Sequence, residues 1–194
     1  MKTQRERILA ECDKNLSRGR AVGTGIGVFA VIIKDGAPLL RRRLEKDSLY
    51  GEDLSGKWEA AGGGAEITDF SGVGAPILTR ERYQGSILTR LTQEIKEEVG
   101  LKLLCLPDPL LMAPAWFWRL YEDKEKGECA SIDLAFSTPI NIACLGETRE
   151  FQERTAKGEI KFVPRDRLAG IEFVSPRMRF LVEEALQISD ITTD

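Results

Sequence analysis

The first periodic pattern of apolar and polar positions along this chain has helical spacing. Thr3 and Glu6 have the spacing of a capping box at a helix start. Apolar side chains then recur at helical spacing at Ile8, Leu9, Cys12 and Leu16. This pattern predicts a short amphipathic helix over about residues 3–17.

Two apolar runs, one from Gly25 and one from Pro38, flank the dipeptide Asp35-Gly36. Asp-Gly between such runs is typical of a tight β-hairpin, so the segment predicts two antiparallel strands. Residues 48–85 are instead rich in glycine and other turn residues. That region is predicted to be largely loop.

The segment over residues 86–99 carries the clearest helix pattern in the chain. Ile87, Leu91 and Ile95 lie one turn apart, and Gly100 follows directly. Glycine at that place commonly ends a helix because it adopts a left-handed conformation without a steric cost. We therefore expect an amphipathic helix that stops at Gly100.

The second half of the chain returns to strand patterns. Further strands are predicted at 115–121, 130–136 and 159–164. Ser175 and Pro176 have the residue types that begin a helix, which we expect to continue to about Ile188. The order of elements predicts a single α/β domain over residues 1–194 with a mixed sheet.

The amino-acid composition restricts the kinds of catalytic and metal site that this chain can form more than it restricts the fold. The 194 residues include no histidine, which excludes Ser-His-Asp and Cys-His catalytic systems and zinc sites built on histidine. The four cysteines form no C-x-x-C pair, so we expect buried free thiols in a reducing cytoplasm. Chemistry in this chain must rest on carboxylates, amines, hydroxyls or a metal held by oxygens.

Net charge and hydropathy limit the classes of partner that this chain is expected to bind. The net charge is −3, so no global basic field recruits nucleic acid or an anionic membrane. No segment approaches the roughly 18 apolar residues of a membrane span, and the N-terminus lacks the apolar core of a signal peptide. We expect a cytoplasmic protein that binds a small molecule and is compatible with a homodimer.

An acidic cluster marks the end of the predicted helix. On a helical wheel, Glu94, Glu97 and Glu98 share one face in the last turn before Gly100. Anions at a helix C-terminus oppose the helix dipole by about 0.3–1 kcal/mol each, and their mutual repulsion adds to this cost. Two interpretations fit the pattern: a solvated acidic face, or a set of hard oxygen ligands for Mg²⁺ or Mn²⁺.

The cluster belongs to a longer motif. Residues 93–101 read QEIKEEVGL, and residues 58–66 read WEAAGGGAE. These segments resemble the two halves of the Nudix box, G-x5-E-x7-R-E-U-x-E-E-x-G-U with U aliphatic. Gln93 stands where the family has arginine, Ala61 where it often has proline, and 16 extra residues separate the halves. Counting from one half assigns the first box glutamate to Asp69 and counting from the other does not, so that position stays open.

The resemblance implies a fold and an activity. The fold is the Nudix-type α/β/α sandwich with a mixed β-sheet. The activity is metal-dependent hydrolysis of a nucleoside diphosphate linked to another group X, with Mg²⁺ or Mn²⁺ as cofactor. The family pattern implies Glu94, Glu97 and Glu98 as metal ligands and catalytic residues, with a backbone carbonyl near Gly62 completing the metal shell. The competing hypothesis is a Nudix-fold nucleotide-binding or regulatory protein without turnover.

Residues outside the box complete the predicted site. The charged loop expected over residues 147–159 offers Glu153 as an additional catalytic carboxylate, with Glu150 as the second choice. For substrate binding we expect Arg42, Arg43, Trp118 and Glu66. The alternatives are that Trp118 covers the core and that the arginines face only solvent. We further expect Arg90, one turn before Glu94, to orient the glutamates in place of the missing arginine, with an ordinary solvent-facing arginine as the alternative.

Overall fold

The computed structural model describes residues 23–44, 53–64, 88–105, 113–123 and 127–193. The helix predicted over about residues 3–17 lies outside the described residues. Within them, no helix is long and apolar enough to cross a membrane.

The first two strands form the predicted hairpin. Strand β1 (Gly23–Lys34) pairs antiparallel with β2 (Ala37–Arg42), with Ile33 opposite Pro38. Asp35 and Gly36 between them have φ values of 50° and 74°. Two consecutive positive φ angles are what a two-residue hairpin turn of the favoured type requires, and Asp-Gly adopts them at little cost.

The remaining strands of the described chain complete one large sheet and one small ribbon. They are β3 (Trp58–Glu59), β4 (Ala61–Gly64), β5 (Leu101–Leu103), β6 (Ala113–Asp123), β7 (Gly127–Asn141), β8 (Leu145–Glu147) and β9 (Ile160–Phe162). The large sheet has the order β3-β2-β1-β7-β6, with β4 also paired to β1 and β9 to β2. The β1–β7 pair is parallel and the other pairs are antiparallel, so the sheet is mixed as predicted.

Three longer helices lie in the described residues, together with two short 3-10 helices, Ile142–Cys144 and Arg165–Gly170. Helix α1 is α-helical over residues 88–94 and continues as a π-helical turn, Ile95–Val99, that ends at Gly100 with φ 73°. Helix α2 spans Arg149–Ala156 and α3 spans Pro176–Thr193. The Ser175 hydroxyl accepts a hydrogen bond from the Met178 N–H at 3.1 Å, which confirms the predicted start of α3.

The alternation of β1 divides its side chains between two cores. Val28, Ala30 and Ile32 pack with the apolar stripe of α1, whereas Val31 and Ile33 pack with α3. All five of these side chains are buried, because each face of the strand is covered by a helix. The predicted α/β/α sandwich is therefore confirmed by the layers of the structure itself.

Two segments predicted as loop are regular structure. The glycine-rich stretch contains β3, which pairs with β2, and β4, whose Gly62 and neighbours pair along β1. The charged segment before β9 is helix α2, whose first N–H groups are capped by Thr148 at the Phe151 N–H. Ion pairs Arg149–Glu153 and Arg154–Glu150, each four residues apart, support this helix along its exposed sides.

Candidate active site

Strand β4 forms one wall of the site, and its conformation requires glycine. Gly62 lies opposite Phe29 on β1 and has φ 150°. A Cβ at this position would lie 2.1 Å from the Val28 carbonyl oxygen, a distance that no real side chain tolerates. Glycine therefore allows the strand to lie directly on β1.

Helix α1 brings two carboxylates to this strand. Glu98 Oε2 accepts a hydrogen bond from the Gly62 N–H at 2.7 Å. Glu94 Oε1 lies 2.8 Å from the place where a Cβ on Gly63 would be. The two halves of the motif, separated by the long insertion in sequence, thus meet in space at Gly62 and Gly63.

Glu97, the third glutamate, does not lie with the other two as the helical wheel predicts. Glu94 is buried and Glu98 is half-buried, whereas Glu97 is exposed. The last turn is π-helical, and the Gly100 N–H bonds the Ile95 carbonyl five residues back. This wider turn changes the angular spacing that an ideal α-helix would give, and π-helical turns are frequent at functional sites.

Arginines from two elements hold the carboxylates. Arg41 Nη2 contacts Glu98 and lies 2.7 Å from Glu59 Oε1, which also accepts a hydrogen bond from Arg43 Nε at 2.8 Å. Arg90 Nη2 lies 2.5 Å from Glu94 Oε1. The Nε groups of Arg41 and Arg90 are buried without a hydrogen-bond partner.

Of the two arginines predicted from sequence to bind substrate, Arg42 and Arg43, the structure brings only Arg43 to the site. Arg43 reaches Glu59 at the site, whereas Arg42 is exposed and its guanidinium lies near Gly56. The sequence analysis did not predict Arg41 or Glu59 as residues of this site. Both follow from strand alternation, since Arg41 and Arg43 must share a face and Glu59 lies opposite Arg41 in the β2–β3 register.

Burial changes the proton affinity of both carboxylates at the glycine strand. Burial raises the pKa of Glu98 to about 7, against the lowering effects of Arg41 and the Gly62 N–H. Burial likewise raises the pKa of Glu94, although Arg90 opposes the shift. The neighbouring arginines therefore compensate only part of the cost of charging these groups.

Helix α2 supports the end of α1 from outside. The Arg154 guanidinium donates to the backbone carbonyls of Glu98 at 3.0 Å and Glu97 at 3.1 Å, and the Thr148 hydroxyl donates to the Gly100 carbonyl. These bonds satisfy carbonyls that a helix end leaves without intrahelical partners. The sequence signal for these contacts was Arg154, a basic side chain one turn after Glu150, in a segment predicted to be loop.

The other predicted site residues are placed less centrally or not described. Glu153 pairs with Arg149 at 2.8 Å and is about half exposed. Glu150 instead contacts the end of α1, since its side chain lies 3.1 Å from a Cβ placed on Gly100. Glu66, Asp69 and the side chain of Trp118 lie outside what the structure describes.

The donor set at this site fits a hard divalent cation. In the described part of the chain, no group of three or more acidic or cysteine side chains is gathered closely enough to hold a metal ion alone. Glu94 and Glu98 nevertheless bring carboxylate oxygens to one strand, and burial leaves them short of compensating charge. A cation there would favour the charged form of both groups.

Comparison with known proteins gives structural likenesses only. The sequence matches no family model and no curated protein. The chain is similar to a MutT protein from Methanosarcina mazei Go1, at 18% identity and a TM-score of 0.47, over 89% of this chain and 98% of that one. A Nudix hydrolase from Nitrosomonas europaea shows 14% identity and a TM-score of 0.45, over 84% and 88% of the two chains.

A third solved structure carries a ligand in its description. It is the Nudix domain of Shewanella oneidensis NrtR complexed with ADP ribose, at 15% identity and a TM-score of 0.44, over 96% of this chain and 98% of that one. At these identities the likeness concerns the fold alone.

Proposed function

We propose that this chain is a Nudix-type pyrophosphohydrolase that hydrolyses a nucleoside diphosphate linked to another group, with Mg²⁺ or Mn²⁺ as cofactor. The observation that carries the proposal is the convergence of Glu94 and Glu98 on Gly62 and Gly63. This arrangement joins the two halves of the motif at one place, and it gathers charge that only a cation or a set of arginines can offset.

Glu94 and Glu98 are the residues that would hold the cation, with Glu97 on the same turn as the third candidate ligand. When bound, a divalent cation neutralises the charge of a diphosphate and orients the attacking water. Glu97 is the most exposed of the three and lies where solvent and substrate have access. Glu94 and Glu98 are fixed by the arginines and the glycine strand, so little reorganisation is needed at their backbones.

The remaining side chains have separate tasks in this proposal. Without a cation, burial raises the pKa of Glu98 to about 7, and a bound cation would lower that pKa again. Glu98 would therefore serve as a charged ligand while a more exposed carboxylate accepts the proton of water. Arg41 and Arg90 place partly exposed guanidinium groups beside Glu98 and Glu94. Phosphate oxygens are the acceptors that guanidinium groups bind most effectively. Glu153 stays a candidate for an additional carboxylate at the rim.

The test is a panel of nucleoside diphosphate compounds, including ADP-ribose, assayed with Mg²⁺ for phosphate release after phosphatase coupling. We expect turnover of at least one compound, loss of turnover in EDTA, and a decrease in kcat of at least about a hundredfold for Glu98→Gln or Glu97→Gln. Glu147→Gln is the matched control, because Glu147 is an exposed carboxylate on β8. Its activity should equal that of the unchanged protein.

Two outcomes would contradict the proposal. Equal rates in EDTA, or in the glutamate variants, would exclude metal-dependent chemistry at this site. Tight binding of a panel compound without turnover would instead support a nucleotide-binding protein. Calorimetric titration of the same panel distinguishes that case from absence of any ligand.

A further inference from the structure

Two cysteines meet at the end of the small β5–β8 ribbon. Leu103 is paired with Leu145, and the two residues that follow β5 both donate backbone hydrogen bonds to the Cys144 carbonyl. The N···O distance is 2.9 Å from Leu104 and 3.4 Å from Cys105. The chain bends at Cys105, so the regular alternation of the ladder ends there and the two thiols come into hydrogen-bonding contact.

The two thiols differ in access to solvent. Cys105 is exposed and Cys144 is half-buried, and both are free thiols. The exposure of Cys105 corrects the expectation of buried thiols drawn from composition. The hydrogen bond that the Cys144 thiol donates to Cys105, together with burial, raises the pKa of the Cys144 thiol. Cys105, as the exposed thiol, therefore meets a dissolved oxidant first.

We propose that Cys105 and Cys144 form a peroxide-reactive dithiol that closes to an intramolecular disulfide. Disulfide formation needs Cα atoms about 4.4–6.8 Å apart, and the hydrogen bonds from Leu104 and Cys105 to the Cys144 carbonyl hold the two backbone segments side by side. Cys105, as the exposed member, reacts with the oxidant, and Cys144 is held in contact with it as the resolving thiol.

The reaction balances with hydrogen peroxide as oxidant. The Cys105 sulfur attacks one peroxide oxygen, the O–O bond breaks, and the thiol proton leaves with the second oxygen as water. The Cys144 sulfur then attacks the resulting sulfenic sulfur, the S–S bond forms, and the S–O bond breaks. The departing oxygen takes the proton of Cys144 and leaves as a second water, so two thiols are oxidised and one peroxide is reduced.

The position of the pair connects it to the carboxylates. Strand β5 begins directly after Gly100, at the end of the helix that carries Glu94 and Glu98. Strand β8 leads directly into Thr148, whose hydroxyl bonds the Gly100 carbonyl. A covalent link across the ribbon would therefore fix the two segments that support the end of α1.

The test uses the full chain with Cys12→Ser and Cys129→Ser, which leaves only this pair of thiols. After treatment with hydrogen peroxide, we expect no free thiols, an unchanged monomer mass apart from the loss of two hydrogen atoms, and one cross-linked peptide containing Cys105 and Cys144. Dithiothreitol should restore both thiols. The oxidised form should also melt several degrees higher, because the bond closes a long loop of the unfolded chain.

Single variants in the same background test the order of events. Cys144→Ser should leave a sulfenic acid on Cys105 that a dimedone reagent traps, whereas Cys105→Ser should react at least about tenfold more slowly, because Cys144 is the less exposed thiol. Two results would overturn the proposal: both thiols staying reduced, or separate oxidation of each cysteine without a cross-link. A cross-link formed only between two chains would also overturn it.

Discussion

Arg41 is the residue through which the acidic side chains of two elements are joined. It contacts Glu98 on α1 and Glu59 on β3, and Glu59 is only 3% exposed. Arg41→Ala leaves Glu59 with Arg43 and leaves Glu98 with the Gly62 N–H. We expect a loss of about 3 kcal/mol in the free energy of unfolding, because a charge partner is removed from a buried network.

The matched control for this prediction is Arg42→Ala. Arg42 is the exposed neighbour on the same strand, so its truncation should change the unfolding free energy by less than about 0.5 kcal/mol. Urea denaturation of both variants measures the difference. Equal losses for the two variants would show that Arg41 does not hold the carboxylates in place.

Arg90 replaces, in our proposal, the arginine that is missing at Gln93. Arg90 lies 2.5 Å from Glu94, whereas Gln93 is exposed. We expect Arg90→Ala to weaken Mg²⁺ affinity about 10- to 100-fold, the usual effect of losing a side chain that orients a metal ligand. In a Gln93→Arg background the loss should be much smaller if the new arginine reaches Glu94.

Calorimetric titration with Mg²⁺ measures each corner of this double-mutant cycle. Lys96→Ala is the control, since Lys96 is an exposed cation on the same helix. Unchanged Mg²⁺ affinity and kcat in Arg90→Ala would mean that the ion pair is an ordinary helical contact.

The raised pKa of Glu98 predicts a pH dependence of stability. Because the folded protein holds the proton up to about pH 7 and the ordinary value is 4.5, the folded state binds more protons between these limits. The contribution of Glu98 is therefore fully present below pH 4.5 and is lost as pH rises through 7, by about 3 kcal/mol in total. Glu98→Gln should remove this decline.

Urea denaturation in EDTA at pH 4.5, 5.5 and 7.5 tests this prediction. The difference between the unchanged protein and Glu98→Gln isolates the one carboxyl, since other groups titrate in both. Glu147→Gln should follow the unchanged protein at every pH. A constant difference across the range would refute the assigned shift.

At the scale of elements, the glycine strand β4 gives a prediction with a control two residues away. A Cβ on Gly62 would meet the Val28 carbonyl oxygen at 2.1 Å, whereas a Cβ on Gly64 would meet nothing within 4 Å. Gly62→Ala must displace β4 from β1, and we expect a loss of at least about 3 kcal/mol or failure to fold. Gly64→Ala should stay within about 1 kcal/mol of the unchanged protein.

Chemical denaturation and amide hydrogen exchange at Phe29 report this effect. If Gly62→Ala unfolds with the stability of Gly64→Ala, the close approach of the two strands is not what requires glycine. Gly63→Ala adds a separate check, because its Cβ would lie 2.8 Å from Glu94 Oε1. It should lower Mg²⁺ affinity more than it lowers stability.

The elements that sequence predicts well are those with local signals. Asp35-Gly36 fixes the first hairpin, the spacing of Leu91 and Ile95 fixes α1, and Gly100 ends it. Strands β3 and β4 were missed because they form by pairing with β2 and β1, which are distant in sequence, and the glycines of β4 have low strand propensity. Helix α2 was missed because its apolar content is low, and its stability comes from the Thr148 cap and ion pairs.

The site itself was predictable in part for the same reason. The resemblance supplied Glu94, Glu98 and Gly62 because the motif names them directly. Strand alternation separates Arg42 from Arg41 and Arg43, but which of the two faces meets the acidic side chains required the register of β2 against β3, which no local pattern shows. The different exposure of Glu97 required the π-helical turn, since a wheel assumes uniform α-helical spacing.

At the scale of the whole molecule, the sandwich places the site at the junction of its separate parts. The α1 stripe anchors one core through Leu91 and Ile95, while the sheet brings Arg41 and Gly62 to the same face. None of these elements holds the carboxylates alone. Because the charges of Glu94 and Glu98 are offset only in the assembled fold, a ligand at this site is coupled to global stability.

This coupling predicts that Mg²⁺ raises the melting temperature. A ligand that binds only the folded state at a concentration of 100 times its Kd stabilises the fold by about 2.7 kcal/mol. For a domain of this size that corresponds to a shift of roughly 5–10 °C. Differential scanning calorimetry with and without MgCl₂, at ionic strength matched with KCl, measures the shift.

The variant that tests the origin of this shift is Glu94→Gln with Glu98→Gln. It removes both buried charges, so it should melt at or above the temperature of the metal-free unchanged protein, because burial already penalises these charges. It should also be insensitive to MgCl₂, because the neutral amides bind the cation poorly. A full Mg²⁺ shift in this variant would place the metal elsewhere, and no shift in the unchanged protein would mean that Arg41 and Arg90 alone balance the carboxylates.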